Sequence, residues 1–176
     1  ASHRYLAVGA RSGIRRPAAS DCDAFLAAVG ASADLHSPWV HPPRDAEQFS
    51  VYLEGRQSLS EDGFLVCELK SGEIAGLVNL NCIVRGAFQS AFLGYYAMRP
   101  FAGQGIMRDG LSFVIAHAFG EMQLHRLEAN IQPSNAASIA LVKGLGFRKE
   151  GFSPRYLRIG GAWRDHERWA LLADEC

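Results

Sequence analysis

Cysteine is scarce and scattered. Cys22, Cys67, Cys82 and Cys176 form no C-x-x-C pair and no Cys/His cluster with zinc spacing. They read as reduced thiols of a cytoplasmic protein, and no metal site is expected. An excess of charge is also lacking. Eighteen Lys plus Arg balance eighteen Asp plus Glu, which argues against the broad basic footprint of a nucleic-acid binder. No apolar run approaches the ~18–20 residues that span a membrane. The opening residues, Ala1-Ser2-His3-Arg4-Tyr5, lack the apolar stretch of a secretion signal. Repeats, low-complexity tracts and linkers are missing too. The chain therefore reads as one domain over 1–176, with 1–11 a loosely ordered lead.

Two common phosphate loops are absent. Neither Lys nor Ser/Thr follows Gly105, so there is no P-loop, and Arg108 breaks the dinucleotide pattern begun by Gly103 and Gly105. What is there is a short turn, Met98-Arg-Pro-Phe-Ala-Gly-Gln-Gly-Ile-Met107. It lies between the apolar run Ala91–Ala97 and a helix-like spacing at Met107, Leu111, Val114, Ile115 and Ala118. Glycines there free backbone N–H groups to point outward, and a helix N-terminus adds partial positive charge. The pattern suits a phosphate or diphosphate. An ordinary strand-to-helix turn with two glycines is the plainer reading, and the loop alone leaves both open.

The periodicity predicts a strand at Ser12–Arg16 and a helix capped by Ser20 or Asp21 and ended by Gly30. A proline-rich loop spans Leu35–Arg44, and Asp45 caps a second helix from Ala46 to about Leu59. Strands follow at Phe64–Leu69, Glu73–Val84 and Ala87–Met98. After the glycine loop and its helix come a strand at Arg126–Gln132 and a helix from Pro133 to Gly144 or Gly146. Phe147–Gly151, Tyr156–Ile159 and Trp163–Leu172 read as terminal strands. The order β-α-α-β-β-β-α-β-α-β-β predicts an α/β (α+β) fold: a mixed, mostly antiparallel sheet of about seven strands with helices on both faces.

With those elements in place, the chain resembles the Gcn5-related N-acetyltransferase superfamily. Ala102-Gly103-Gln104-Gly105-Ile106-Met107 fills the slot of its acetyl-CoA loop, with Ala102 where that family has Gln or Arg. Gly76–Asn79, Val84–Phe88, His125–Asn130, Pro133–Asn135, Gly144–Gly151 and Gly161–His166 are similar to the ribosomal-protein-alanine N-acetyltransferase (RimJ/RimL-like) branch. The resemblance implies a single-domain acyl-CoA N-acyltransferase fold. It implies acetyl-CoA as cosubstrate, no metal, and direct acetyl transfer to a primary amine, foremost a ribosomal-protein-like N-terminus. A small amine or amino sugar as acceptor, and a non-catalytic acyl-CoA-binding module, are the alternatives. Neither membrane nor direct nucleic-acid binding is expected, and the protein is a monomer or homodimer.

The same resemblance implies site residues. Pantetheine would lie as an extra strand along Tyr95, Tyr96, Ala97, Met98 and Arg99. The diphosphate would lie on Gly103, Gln104, Gly105, Ile106, Met107 and Arg108. A backbone amide near Ala97 or at Met98 would polarise the thioester carbonyl. Asn135 would cap its helix or touch the cofactor arm, and Ser138 would protonate the departing thiolate. The general base is less defined. Asn130 stands at the usual position of a strand Glu or His and can only orient the amine or a water. Glu128 is a candidate, and the branch's glutamate ahead of a Tyr-Leu pair is replaced by Arg155. His41, Asp165 and His166 are further candidates in the loop and hairpin. Trp39, His41, Asn79, Tyr156, Trp163 and Asp165 would form the acceptor cleft, although large aromatics such as Trp39 and Trp163 more commonly anchor cores.

Overall fold

The computed structural model describes residues 4–176. One eight-stranded sheet runs β1-β2-β3-β4-β5-β6-β8-β7. Its strands are β1 (Ala7–Val8), β2 (Ser12–Arg15), β3 (Asp62–Glu68), β4 (Ile74–Val84), β5 (Ser90–Ala97), β6 (Arg126–Ile131), β7 (Arg148–Ile159) and β8 (Ala162–Leu172). The helices are α1 (Cys22–Ala31), α2 (Ala33–His36), α3 (Ala46–Gly55), α4 (Ile106–Phe119) and α5 (Ala136–Gly144). All strand pairs are antiparallel except β5 and β6.

β3 is a nearly continuous apolar run because both its faces are covered. Phe64 and Val66 point to a core shared with Leu111 and Val114 of α4 and Val142 of α5. Leu65 and Cys67 point to a second core with Phe25 of α1 and Phe49 of α3. The helices therefore lie on both faces, as the order of elements requires. Gly110 lets α4 sit close on β3, since a Cβ there would lie 2.5 Å from Val66. A bidentate pair between the buried side chains of Arg15 and Asp21, at 2.8 and 2.7 Å, ties β2 to the start of α1.

Several predicted boundaries move. Gly30 does not end α1; the helix runs to Ala31, and Ser32 closes it by donating to the Ala28 carbonyl at 2.6 Å. The supposed loop at Leu35 begins inside the one-turn α2. α3 stops at Gly55 rather than near Leu59. There the Arg56 guanidinium turns away to Glu61 and Asn81, and Leu59 is left exposed. Two expected strands fuse into β7. It bulges between Ser153 and Leu157, where Arg155 takes φ +48° and donates its amide to Asp165 at 2.7 Å. Within the lead at 1–11, Ala7–Val8 forms an edge strand rather than loose chain, while 1–3 lie outside the described residues. Among the described residues no helix is long and apolar enough to cross a membrane.

Candidate active site

The site is a split in the sheet. β5 and β6 pair only over Ser90–Phe92 and Arg126–Glu128. Beyond Phe92, β5 stays on β4, while β6 follows β8 as far as Ile131 opposite Glu167. The backbone of β5 that faces β6 is thereby left without a ladder partner. Which amides face the gap follows from the alternation of an antiparallel ladder. The Met98 N–H donates to the Ala75 carbonyl at 2.8 Å, so Met98 and Tyr96 bond toward β4. Tyr95 and Ala97 therefore direct their amides into the gap. This corrects the Met98 assignment: its amide is consumed by the sheet, and Tyr95 and Ala97 carry the available donors.

Polar side chains fix this edge. His36 of α2 is 3% exposed, and its Nε2 lies 2.7 Å from the Ala97 carbonyl oxygen. A carbonyl only accepts, so Nε2 carries the hydrogen and Nδ1 is a bare acceptor, buried without a partner. Burial pushes the His36 pKa down, against the pull of the Ala97 carbonyl, and keeps the ring neutral. Its edge meets the Tyr96 ring at 5.0 Å. Tyr95 points to the opposite face, where its hydroxyl lies 2.7 Å from Ser138 Oγ. Burial raises the Tyr95 hydroxyl to about 12, offset in part by the Ser138 bond.

At the end of β5 the glycine loop delivers α4. Gly103 and Gly105 adopt φ +76° and +81°, and Gly105 is the α4 N-cap. A Cβ on Gly103 would meet nothing within 4 Å, so the loop backbone is open on that side. The N–H groups of Ile106, Met107 and Arg108 lie in the first helical turn, which has no intrahelical acceptor for them. Arg11 braces the loop, donating to the Gln104 carbonyl at 3.0 Å and pairing with Asp109 at 3.3 Å. Across the gap, Asn135 caps α5 by accepting from the Ser138 amide at 3.3 Å.

A cavity of about 350 Å³ lies between these elements, lined by His36, Trp39, Tyr95, Tyr96, Ala97, Gly103, Gly105, Met107, Arg108, Asn135 and Ser138 among others. A smaller one of about 100 Å³ adjoins it, sharing Trp39, Tyr95, Asn135 and Ser138 and adding Asn130, Gln132 and His166. Asn130 Oδ1 is buried and unpartnered. Together they give an unpaired strand edge, a cradle of free amides, one guanidinium and two orphaned acceptors. A long, partly peptide-like ligand ending in phosphates fits that set.

Most predicted cosubstrate residues converge there, and four do not. Met98 is fully buried in the second core, and Ile106 is buried in the first. Arg99 gives its amide to Ser32 Oγ at 2.9 Å and its guanidinium to Asp34 at 2.6 Å. Gln104 turns its side chain back to the Pro100 carbonyl. Of the predicted bases, Glu128 is held by Arg126 at 2.7 Å and lines neither cavity.

The acceptor set divides as well. Trp39 walls both cavities. His41 reaches the hairpin turn, its Nε2 3.1 Å from where a Gly160 Cβ would sit, so the proline-rich loop and the hairpin do meet. Tyr156 stands edge-on to His166 at 6.4 Å. Asn79 is occupied by the Tyr52 hydroxyl at 2.8 Å, and Asp165 is spent on the β7 bulge. Trp163 is 61% exposed at the hairpin tip and forms neither wall nor core. Sequence reasoning missed His36 and Arg11. Both act through backbone carbonyls brought near by the fold, and no local motif announces such contacts. Among the described residues no group of three or more His, Cys, Asp or Glu could hold a metal ion.

A sheet split beside a glycine loop and a helix N-terminus defines a class of acyl-CoA-dependent transferases, and comparison with known proteins names the family. Residues 11–148 match the family model described as the acetyltransferase (GNAT) domain. The probable N-acetyltransferase YjcK of Bacillus subtilis is 35% identical over 126 residues, 72% of this chain and 70% of that protein. The uS5-alanine N-acetyltransferase of Escherichia coli is 40% identical over 103 residues. That match covers 58% of this chain but only 53% of the enzyme. Among solved structures, Mycobacterium smegmatis RimJ in complex with CoA-disulfide superposes with a TM-score of 0.85 at 30% identity. It covers 93% of this chain and 83% of its own. The chain belongs to the GNAT acetyltransferase family. It is an acetyl-CoA-dependent N-acetyltransferase close to the ribosomal-protein N-acetyltransferases.

Proposed function

We propose that the acceptor is a protein N-terminal α-amine, of the kind carried by ribosomal proteins, and that 1–176 works as one acetyltransferase domain. The observation that carries this reading is the smaller cavity. At about 100 Å³, its lining contains no Asp or Glu. A polyamine or aminoglycoside carries several cationic centres and calls for matching carboxylates. A single amine at the end of a peptide does not. The E. coli relative, whose name gives an alanine of uS5 as its target, supports the same class.

Bound acetyl-CoA supplies an activated acyl carbon and a thiolate leaving group. The Ala97 amide would pair with the pantetheine arm, and His36 Nδ1 offers it an acceptor. The Tyr95 N–H, on the edge that borders both cavities, would meet negative charge developing on the acyl oxygen. The Gly103, Gly105, Met107 and Arg108 amides and the Arg108 guanidinium would hold the diphosphate. Ser138, bonded to Tyr95, would deliver a proton to the leaving sulfur.

The test is an acetylation screen read by mass spectrometry. Peptides beginning with Ala or Ser are set against spermidine and an aminoglycoside. Acetylated peptide N-termini support the reading, and faster transfer to either small amine overturns the acceptor class. Tight CoA binding without any transfer would point instead to a silent acyl-CoA binder.

A further inference from the structure

Acetyl transfer to an amine, the reading above on which this rests, needs an acceptor for the amine's proton. His166 lies midway along β8, is 3% exposed, and lines the smaller cavity. Its Nδ1 lies 2.8 Å from the Arg164 carbonyl oxygen. Since that oxygen can only accept, Nδ1 carries the hydrogen, and Nε2 of the neutral ring keeps its lone pair. The Tyr156 ring, edge-on at 6.4 Å, backs the imidazole.

The sheet register brings a second group beside it. Asn130 pairs with Arg168 and Ile131 with Glu167, which sets residue 132 opposite His166. Asn130 is therefore the diagonal neighbour of His166 on the same sheet face, within side-chain reach. Its Oδ1 is buried, unpartnered and in the same cavity. Ser138 and Tyr95 border that cavity from the cosubstrate side. One small chamber thus joins a basic nitrogen, an orphaned acceptor and a proton donor. Glu128, by contrast, is tied to Arg126.

We propose that His166 is the general base and that Asn130 Oδ1 orients the attacking amine by accepting one of its hydrogens. The amine lone pair forms the new N–C bond to the acyl carbon. The proton on that nitrogen passes to His166 Nε2. The C–S bond breaks with its electron pair on sulfur, which takes a proton from the Ser138 hydroxyl. His166 then gives up its proton to solvent, and the Ser138–Tyr95 pair regains one. The net change is amine plus thioester to amide plus thiol.

His166→Asn tests the assignment, because its amide nitrogen can still reach the Arg164 carbonyl while no basic nitrogen remains. With an Ala-initiated peptide and acetyl-CoA, kcat/KM is expected to fall about 10²–10⁴-fold. The rise in melting temperature on adding CoA should persist. His166→Gly should recover part of its rate when free imidazole is added. Asn130→Leu should raise the peptide KM more than it lowers kcat. Activity of His166→Asn within about threefold of wild type overturns the assignment while leaving acetyl transfer intact. So does a rate loss matched by loss of the CoA-induced shift, with no imidazole rescue. A wild-type protein that transfers no acetyl group overturns the underlying reading as well.

Discussion

Tyr95 serves the site through both its backbone and its side chain. Its amide faces the gap between β5 and β6, and its hydroxyl bonds Ser138 Oγ at 2.7 Å. Replacing the side chain should therefore separate chemistry from binding. Ser138→Ala and Tyr95→Phe are each expected to lower kcat by about tenfold or more while the Kd for CoA stays within a few fold, measured by thiol release and calorimetry. His36 gives a pH prediction. Its folded pKa is depressed by burial, so its contribution to stability is fully present above the ordinary value of about 6.5 and is lost as pH falls through the lower folded value. The melting temperature should drop on acidification below pH ~6.5, and His36→Gln should flatten that part of the curve. These roles were unevenly legible. Ser138 and Asn135 could be read because a family pattern fixes their spacing. His36 could not, since its partner is the backbone of Ala97, 61 residues away. Met98 was assigned one residue out of phase, because the direction of an amide depends on ladder register rather than residue type.

At the scale of elements, two glycines set how β4, β5 and α4 meet. A Cβ on Gly76 would lie 2.1 Å from Met107 Sδ and 2.9 Å from the Tyr96 carbonyl oxygen. Gly76→Ala should therefore cost about 1–3 kcal/mol, seen as a lower urea midpoint with unchanged m-value. Gly103 has space around it but φ +76°. Gly103→Val should instead weaken CoA binding, since a branched residue resists that conformation and the loop amides would reorient. The α4 and α5 helices were readable from apolar spacing and caps. The fused β7 was not, because Pro154 looks like a strand break in sequence. The fold keeps the strand going by bulging at Arg155 and spending Asp165 on the freed amide. That expenditure removes Asp165 from the acceptor cleft, and the hairpin leaves Trp163 in solvent.

For the whole molecule, ion pairs lace together the strands beyond the split. Glu150 accepts from Arg126 and Arg148, and Glu167 accepts from Lys149 and the Trp169 indole, linking β6, β7 and β8. The arginine partners hold the Glu150 carboxyl below its usual range, and Lys149 does the same for Glu167. Stability from these groups is complete above their unfolded pKa, about 4.3, and fades as pH falls through the lower folded values. Thermal melts between pH 7 and 3 should show that loss, and Arg126→Met should reduce its size. The other half has its own ion pairs, such as Arg15–Asp21, which Arg126→Met leaves intact, and it shares the first apolar core with β6 and β8. The split between these halves is the feature on which function depends, and amide-resolved NMR with saturating CoA tests it most directly. That split predicts the largest shifts at Tyr95, Ala97, Gly103 and Gly105, with Met98, bound to Ala75, moving less. Shifts confined to other elements, or none at these amides, would contradict it.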